Sequence, residues 1–156
     1  MLRLEAADYT DVVQVAHRMR ERDVQEFLAV SHATDRAELA EQLVKRFGQS
    51  DELIAARVDG EAVAVGGCMQ HRPNVVTLLF FATDGFPAAA LGLTRFITRV
   101  LFPEVKAAGA HRIECVSHVE HRDAHRWIEM LGLRREAELK GFGRAGETFL
   151  QFAWTR

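Results

Sequence analysis

The run Val75–Thr83, VVTLLFFAT, is the feature that most restricts what this chain can fold into. It is almost wholly apolar, as expected for a central strand covered on both faces. The strongest helical pattern in the chain follows it. Leu93, Phe96, Ile97, Val100, Leu101, Val105 and Ala108 form one continuous apolar stripe. Pro103 lies off that stripe. It removes the hydrogen bond to the carbonyl of Arg99 and should kink the helix rather than end it. Gly109 is a good stop.

The flanking segments supply more strands and helices. Leu2–Ala6 alternates apolar and polar residues and reads as a short strand. Asp8 can cap the next helix, where Val12, Val15, Ala16 and Met19 recur at helical spacing. The charged stretch Arg20–Asp23 reads as a break, followed by a helix holding Val24, Phe27 and Leu28. Thr34 or Asp35 can cap a third, with Leu39, Leu43, Val44 and Phe47 on one face and Gly48 after its end. Glu52–Val58 and Glu61–Met69 read as a hairpin turning at Asp59-Gly60, and His71–Asn74 as another turn. After Gly109 come a strand at Arg112–Val116 and a helix defined by Ala124, Trp127, Ile128 and Leu131 and closed by Gly132. Strands near Arg135–Phe142 and Glu147–Trp154 flank the turn Gly143–Gly146. This order lacks the regular βαβ alternation of a doubly wound fold. It predicts an α/β fold with a mixed, mostly antiparallel central sheet and helices on both faces, in a single domain over residues 1–156. Phe96, Val100, Trp127 and Leu131 are expected in its core.

The chain has 156 residues and a formal net charge of -2. That balance gives no electrostatic reason to expect nucleic acid or an anionic membrane as partner. No apolar run is long enough to span a bilayer, and the amino terminus does not read as a secretory signal. The two cysteines, Cys68 and Cys115, sit in apolar strand-like runs. As buried thiols they fit a reducing cytoplasm.

The segment HRDAHRWIEMLGL, residues 121 to 133, resembles the GNAT N-acetyltransferase stretch N-x-x-A-x-x-x-Y-x-x-x-G-F. Ala124, Gly132 and the preceding Leu131 match in type and spacing, and Gly132-Leu133 stands for the usual Gly-Phe. The opening LRLEAADYTDVVQVA resembles the family's first strand and helix, and the element order resembles the superfamily along nearly the whole chain. In layout, including GFGRAGETFLQFAW near the end, the chain further resembles GNAT-like proteins of tailed phages, some related to internal virion proteins. The resemblance implies an acyl-CoA-dependent N-acyltransferase moving acetyl from acetyl-CoA to an amine, on a small molecule or a protein. The phage likeness implies a catalytically degenerate virion or interaction protein instead. A homodimer is compatible with either.

Two departures from the family pattern stand out. The phosphate-binding signature [QR]-x-x-G-x-[GA] aligns with Ala89–Thr94, where only Gly92 matches. That signature lets backbone N–H groups approach a pyrophosphate closely at a helix start. The position of the family's tyrosine acid is Ile128, which has no proton to give. The resemblance therefore implies cofactor contacts at Ala82, Thr83, Gly92, Leu93 and Thr94, with Thr94 supplying a hydroxyl. Asp84 and Glu114 are the candidate bases for a substrate amine. Ser117 and His121 are candidates to protonate CoA. His118, His121 and His125 cluster with Ser117 and Glu120, where histidine chemistry suits acid–base work. The same residues also read as polar groups capping a helix and facing solvent. HRDAH lacks the glutamate of a zinc-protease motif, and no metal is expected there.

Overall fold

The computed structural model describes all 156 residues. One seven-stranded sheet runs in the order β1-β2-β3-β4-β5-β7-β6. Its strands are β1 Leu2–Ala6, β2 Ile54–Val58, β3 Glu61–Arg72, β4 Val75–Ala82, β5 Arg112–His118, β6 Arg134–Leu139 and β7 Phe149–Thr155. The VVTLLFFA segment is thus the fourth strand of seven, as its unbroken apolar run requires. β4 and β5 pair in parallel, while β1–β2, β2–β3, β5–β7 and β6–β7 are antiparallel. The helices are α1 Tyr9–His17, α2 Glu21–Ala29, α3 Arg36–Phe47, α4 Ala90–Phe96, α5 Phe102–Ala107 and α6 Arg122–Met130.

The chain divides into two compact units. The first comprises residues 1–67 and 80–93. Its helices start where acceptor side chains can satisfy free N–H groups. Asp8 and Asp11 form a reciprocal capping box at α1. Asp35, not Thr34, caps α3, and the Thr34 N–H and hydroxyl donate to Glu38. Between β2 and β3, Asp59 and Gly60 take φ of 51° and 85°, the two left-handed positions of a primed hairpin turn. The pairing register skips Val63, which bulges out of β3. Its carbonyl accepts the Thr83 N–H instead. The core gathers Val12, Val15, Leu39, Leu53, Val65 and Phe81, all nearly fully buried.

The second unit comprises residues 68–79 and 94–156. β5 and β7 pair over their whole lengths, Arg112 opposite Thr155 through His118 opposite Phe149. Ile113, Leu133, Phe149 and Phe152 are its most buried large side chains. Leu131 is buried as expected, whereas Trp127 is only half-buried and its helix neighbour Ile128 takes the interior position.

The long helix departs from its apolar stripe. α4 and α5 are joined by a π-helical segment, Ile97–Leu101, in which the Phe102 N–H reaches back five residues to the Ile97 carbonyl. A wide turn inserts one extra residue, so the buried face steps from Leu93 to Ile97 and then five residues on to Phe102. Val100 is rotated out to 39% exposure and Phe96 is half-buried. The Pro103 ring lies immediately after the wide turn, where a regular helix would drive it into the Arg99 carbonyl. The helix therefore continues past Pro103, as expected, by expanding. It ends before Gly109 with the Ala110 N–H bonded to the Val105 carbonyl.

Candidate active site

Parallel pairing of β4 with β5 stops at Thr77–Glu114. Both strands run on, β4 to Ala82 and β5 to His118. Past that point Leu78 and Leu79 on β4, and Cys115 and Val116 on β5, no longer pair with each other. The β4–β5 ladder thus ends before either strand does, while the other edge of β5 stays paired with β7 as far as His118. An extended ligand offering amides could pair where such a ladder stops short.

Ser117 lies on this stretch of β5. It is 1% exposed, and its hydroxyl is the only buried side-chain oxygen or nitrogen without a partner. An orphaned buried hydroxyl is costly, and this one keeps its donor and acceptor capacity for any group that reaches it. Glu114, three residues earlier, projects to the opposite face of the strand. Its carboxylate accepts from Arg112, from Arg72 at 3.2 Å and from Gln151 at 3.5 Å. Both oxygens are engaged, and Arg112 is further held by Glu136. These bonds hold Arg112 above the usual guanidinium range and Glu136 below the usual carboxylate range, the Arg112 bond being the main cause for Glu136. Glu114 is thus the hub of an ion network rather than a free base.

The histidines gather at the junction of β5 and α6. The His118 and His121 rings stack at 5.0 Å, and His118 meets Phe149 edge-on at 5.4 Å. The Glu120 N–H donates to His118 Nδ1 at 3.1 Å, which fixes that nitrogen as an acceptor. His125 Nε2 contacts the His118 carbonyl at 2.9 Å. His121 occupies the cap position of α6 without a side-chain capping bond. No group of three His, Cys, Asp or Glu residues is placed to hold a metal ion.

The structure gives the predicted phosphate-binding window another use. Leu93 donates its N–H to the Ala89 carbonyl within the helix. Thr94 Oγ1 accepts the Trp127 indole N–H at 2.8 Å, which ties α4 to α6. A Cβ on Gly92 would stand 2.3 Å from Leu2 Cδ2, so this glycine makes room for β1. None of these contacts was legible from the segment alone.

The end of β4 is likewise satisfied from within. Ala82 donates its N–H to Asp23 Oδ2 at 2.9 Å and accepts the Arg20 N–H at 2.8 Å. Thr83 donates to the Val63 carbonyl at 2.9 Å and accepts the Phe86 N–H at 3.1 Å. A ligand approaching here finds each N–H engaged and only carbonyl lone pairs left. Asp84 follows, exposed and without any hydrogen-bond or ionic partner. The Arg20–Asp23 pair was read from sequence only as a charged break. Its spacing of three within a helix start was the available signal.

No protein-family model and no curated protein matches the chain by sequence. Solved structures do match it in shape. The ribosomal-protein-alanine N-acetyltransferase from Brucella melitensis superposes with a TM-score of 0.71 at 14% identity, covering 99% of each chain. The ribosomal-protein-S18-alanine N-acetyltransferase from Escherichia coli gives 0.67 at 16% identity, over 99% of this chain and 94% of that one. A GNAT-family acetyltransferase from Bacillus anthracis gives the same values. No phage protein is among these three. Identity this low speaks for architecture and not for substrate. The open, mostly antiparallel seven-stranded sheet of this chain, with its associated helices, is the fold of the GNAT acetyltransferases.

Proposed function

We propose that the chain is an acyl-CoA-dependent N-acyltransferase that moves an acetyl group from acetyl-CoA to an amine. The observation that carries this reading is the end of β4–β5 pairing at Glu114, short of the ends of both strands, together with the orphaned hydroxyl of Ser117. The pantetheine arm is a chain of amides, and the end of a strand ladder is a surface that such a chain can extend. In the reaction the amine nitrogen attacks the thioester carbonyl carbon, the C–S bond breaks, and the departing thiolate takes up a proton. Ser117 would hold that sulfur by its hydroxyl, with His121, at the cap position of α6, as the candidate proton source. The acceptor ammonium must lose a proton before it can attack, and Asp84, which makes no hydrogen bond or ion pair, is the remaining candidate base to take it; Glu114 is already committed to Arg112 and Arg72. Catalysis would rest on positioning of the two substrates.

The residues of this chain fit the pantetheine end of the cofactor better than its pyrophosphate. Leu93 and Thr94 spend their groups inside the protein, and Gly92 faces Leu2. The same contacts, with Ile128 buried where the family resemblance places a tyrosine, favour a second reading. In it the fold binds ligand without turnover and serves as an interaction protein, the class to which the phage-virion likeness belongs. Calorimetry with acetyl-CoA, followed by thiol release with an amine panel, separates the two. Binding with amine-dependent thiol release supports the enzyme. Binding without release supports the second reading, and no binding at millimolar acetyl-CoA rejects the first.

A further inference from the structure

Arg20 opens α2 with its backbone N–H on the Ala82 carbonyl, so its side chain starts beside the end of β4. One edge of the guanidinium grips Asp23. Nε lies 3.1 Å from Oδ2, and Nη2 lies 2.9 Å from Oδ1 and 3.0 Å from Oδ2. Asp23 is anchored in turn by the Ala82 N–H. Two aromatic rings hold the plane of the guanidinium, with Cζ 5.1 Å from the centre of Phe86 and 5.7 Å from that of Phe80. The rings themselves meet edge to face at 5.1 Å. Nη1 makes no hydrogen bond, yet it is not a buried orphan, so its two donors reach solvent on a side chain that keeps 15% exposure.

Asp84 stands in the turn Thr83–Phe86, which is closed by the Phe86 N–H on the Thr83 carbonyl. The last residue of that turn is the ring packed on the guanidinium. One short turn therefore carries a partnerless carboxylate and also braces a half-spent guanidinium. Asp23 already neutralises Arg20, and Asp84 adds a negative charge. The group has no surplus positive charge for a dianionic phosphate. It suits a zwitterion, with a carboxylate on the fixed N–H donors and an ammonium on Asp84.

We infer that Arg20 and Asp84 form the acceptor subsite, and that the acceptor is an amine carrying a carboxylate, as α-amino acids do. This rests on the acyltransferase reading, with Arg20 as a specificity-determining residue. The test is acetyl transfer to a panel of α-amino acids, each paired with its carboxamide. The expected result is at least a tenfold preference in kcat/KM for the free carboxylate, carried by KM. Arg20→Lys should remove that preference while leaving transfer to the carboxamides. Asp84→Asn, at an exposed turn position, should raise KM for both members of each pair, and it serves if Arg20→Lys does not fold. Equal rates on acid and amide, or transfer confined to amines lacking a carboxylate, would overturn the subsite. Absence of transfer to every amine would instead count against the acyltransferase reading. The subsite is then judged on binding alone, from the Arg20 Nε–H and the Gly85 and Phe86 amide resonances titrated with glycine and with glycinamide. Shifts with glycine alone support it; no shift with glycine overturns it.

Discussion

At the scale of single residues, Ser117 and Asp11 show opposite relations between burial and bonding. Ser117 holds a buried hydroxyl with no partner, a group that destabilises the fold unless something else needs it. Ser117→Ala should therefore raise stability by about 1 kcal/mol while slowing thiol release from acetyl-CoA. Urea melts and a thiol assay on the same variant check this, and loss of stability would mean the hydroxyl has a partner in solution. Asp11 is buried too, but fully satisfied. Burial alone would push its carboxyl up; hydrogen bonds from Arg57 and the Asp8 N–H, with the Arg57 charge, outweigh it and hold Asp11 below its ordinary 3.8. The folded state then binds fewer protons than the unfolded chain near that value. Its contribution to stability is present above pH 3.8 and is lost as pH falls through the lower folded value. Asp11→Asn should cost about 2 kcal/mol at neutral pH, less than the loss of an isolated buried pair because Glu5 and Asp8 still face Arg57. Its stability should change less than the wild type's between pH 6 and pH 2. Parallel acid limbs for the two proteins would show that Asp11 is not the group responsible.

At the scale of elements, the helix after β4 carries the clearest lesson. A stripe drawn at 3.6 residues per turn puts Val100 inside. The π segment shifts the register by one residue and puts Phe102 there. Phe102→Ala should then cost about 3–5 kcal/mol and Ile97→Ala about 2–5 kcal/mol, as full truncations in a packed core. Val100→Ala should cost under about 0.5 kcal/mol, as an exposed position does. Thermal melts giving Val100→Ala the larger loss would restore the regular stripe. Pro103 was visible in the sequence, and so was the need to accommodate it. Which accommodation the helix adopts depends on what the flanking turns pack against, and local periodicity carries no information about that.

At the scale of the whole molecule, the ligand question turns on how many backbone donors the fold has already used. Ala82, Thr83 and Leu93 all spend their N–H groups internally. The expected affinity for acetyl-CoA is accordingly weak, on the order of high micromolar to millimolar, since a helix start alone adds only about 0.3–1 kcal/mol for an anion. Calorimetry returning a low-micromolar Kd would show that these groups exchange partners when ligand arrives. Gly92→Ala separates the two roles of that glycine. Crowding of Leu2 predicts a loss of stability with unchanged acetyl-CoA affinity, whereas a phosphate contact predicts the reverse. Burial pushes the Cys68 thiol up to about 12, so modification of it by thiol reagents at neutral pH should be slow. No helix is long and apolar enough to cross a membrane.

The sequence by itself determined the elements and their order. An apolar run, an Asp-Gly turn, aspartates at helix starts and glycines past helix ends act through neighbours a few residues away. They can be read before anything folds. It also held the departures from the acetyltransferase signature, which are matters of residue type. Tertiary structure decided what those residues touch. Thr94 is taken by Trp127, Gly92 by Leu2, Ala82 by Asp23 and Glu114 by Arg72 and Arg112. Only in the case of Arg112 is the partner near in sequence. The others meet because strands and helices far apart in the chain are brought side by side. A donor has one proton to give and a cavity one occupant, so these long-range meetings, not residue type, decide which groups remain for a ligand.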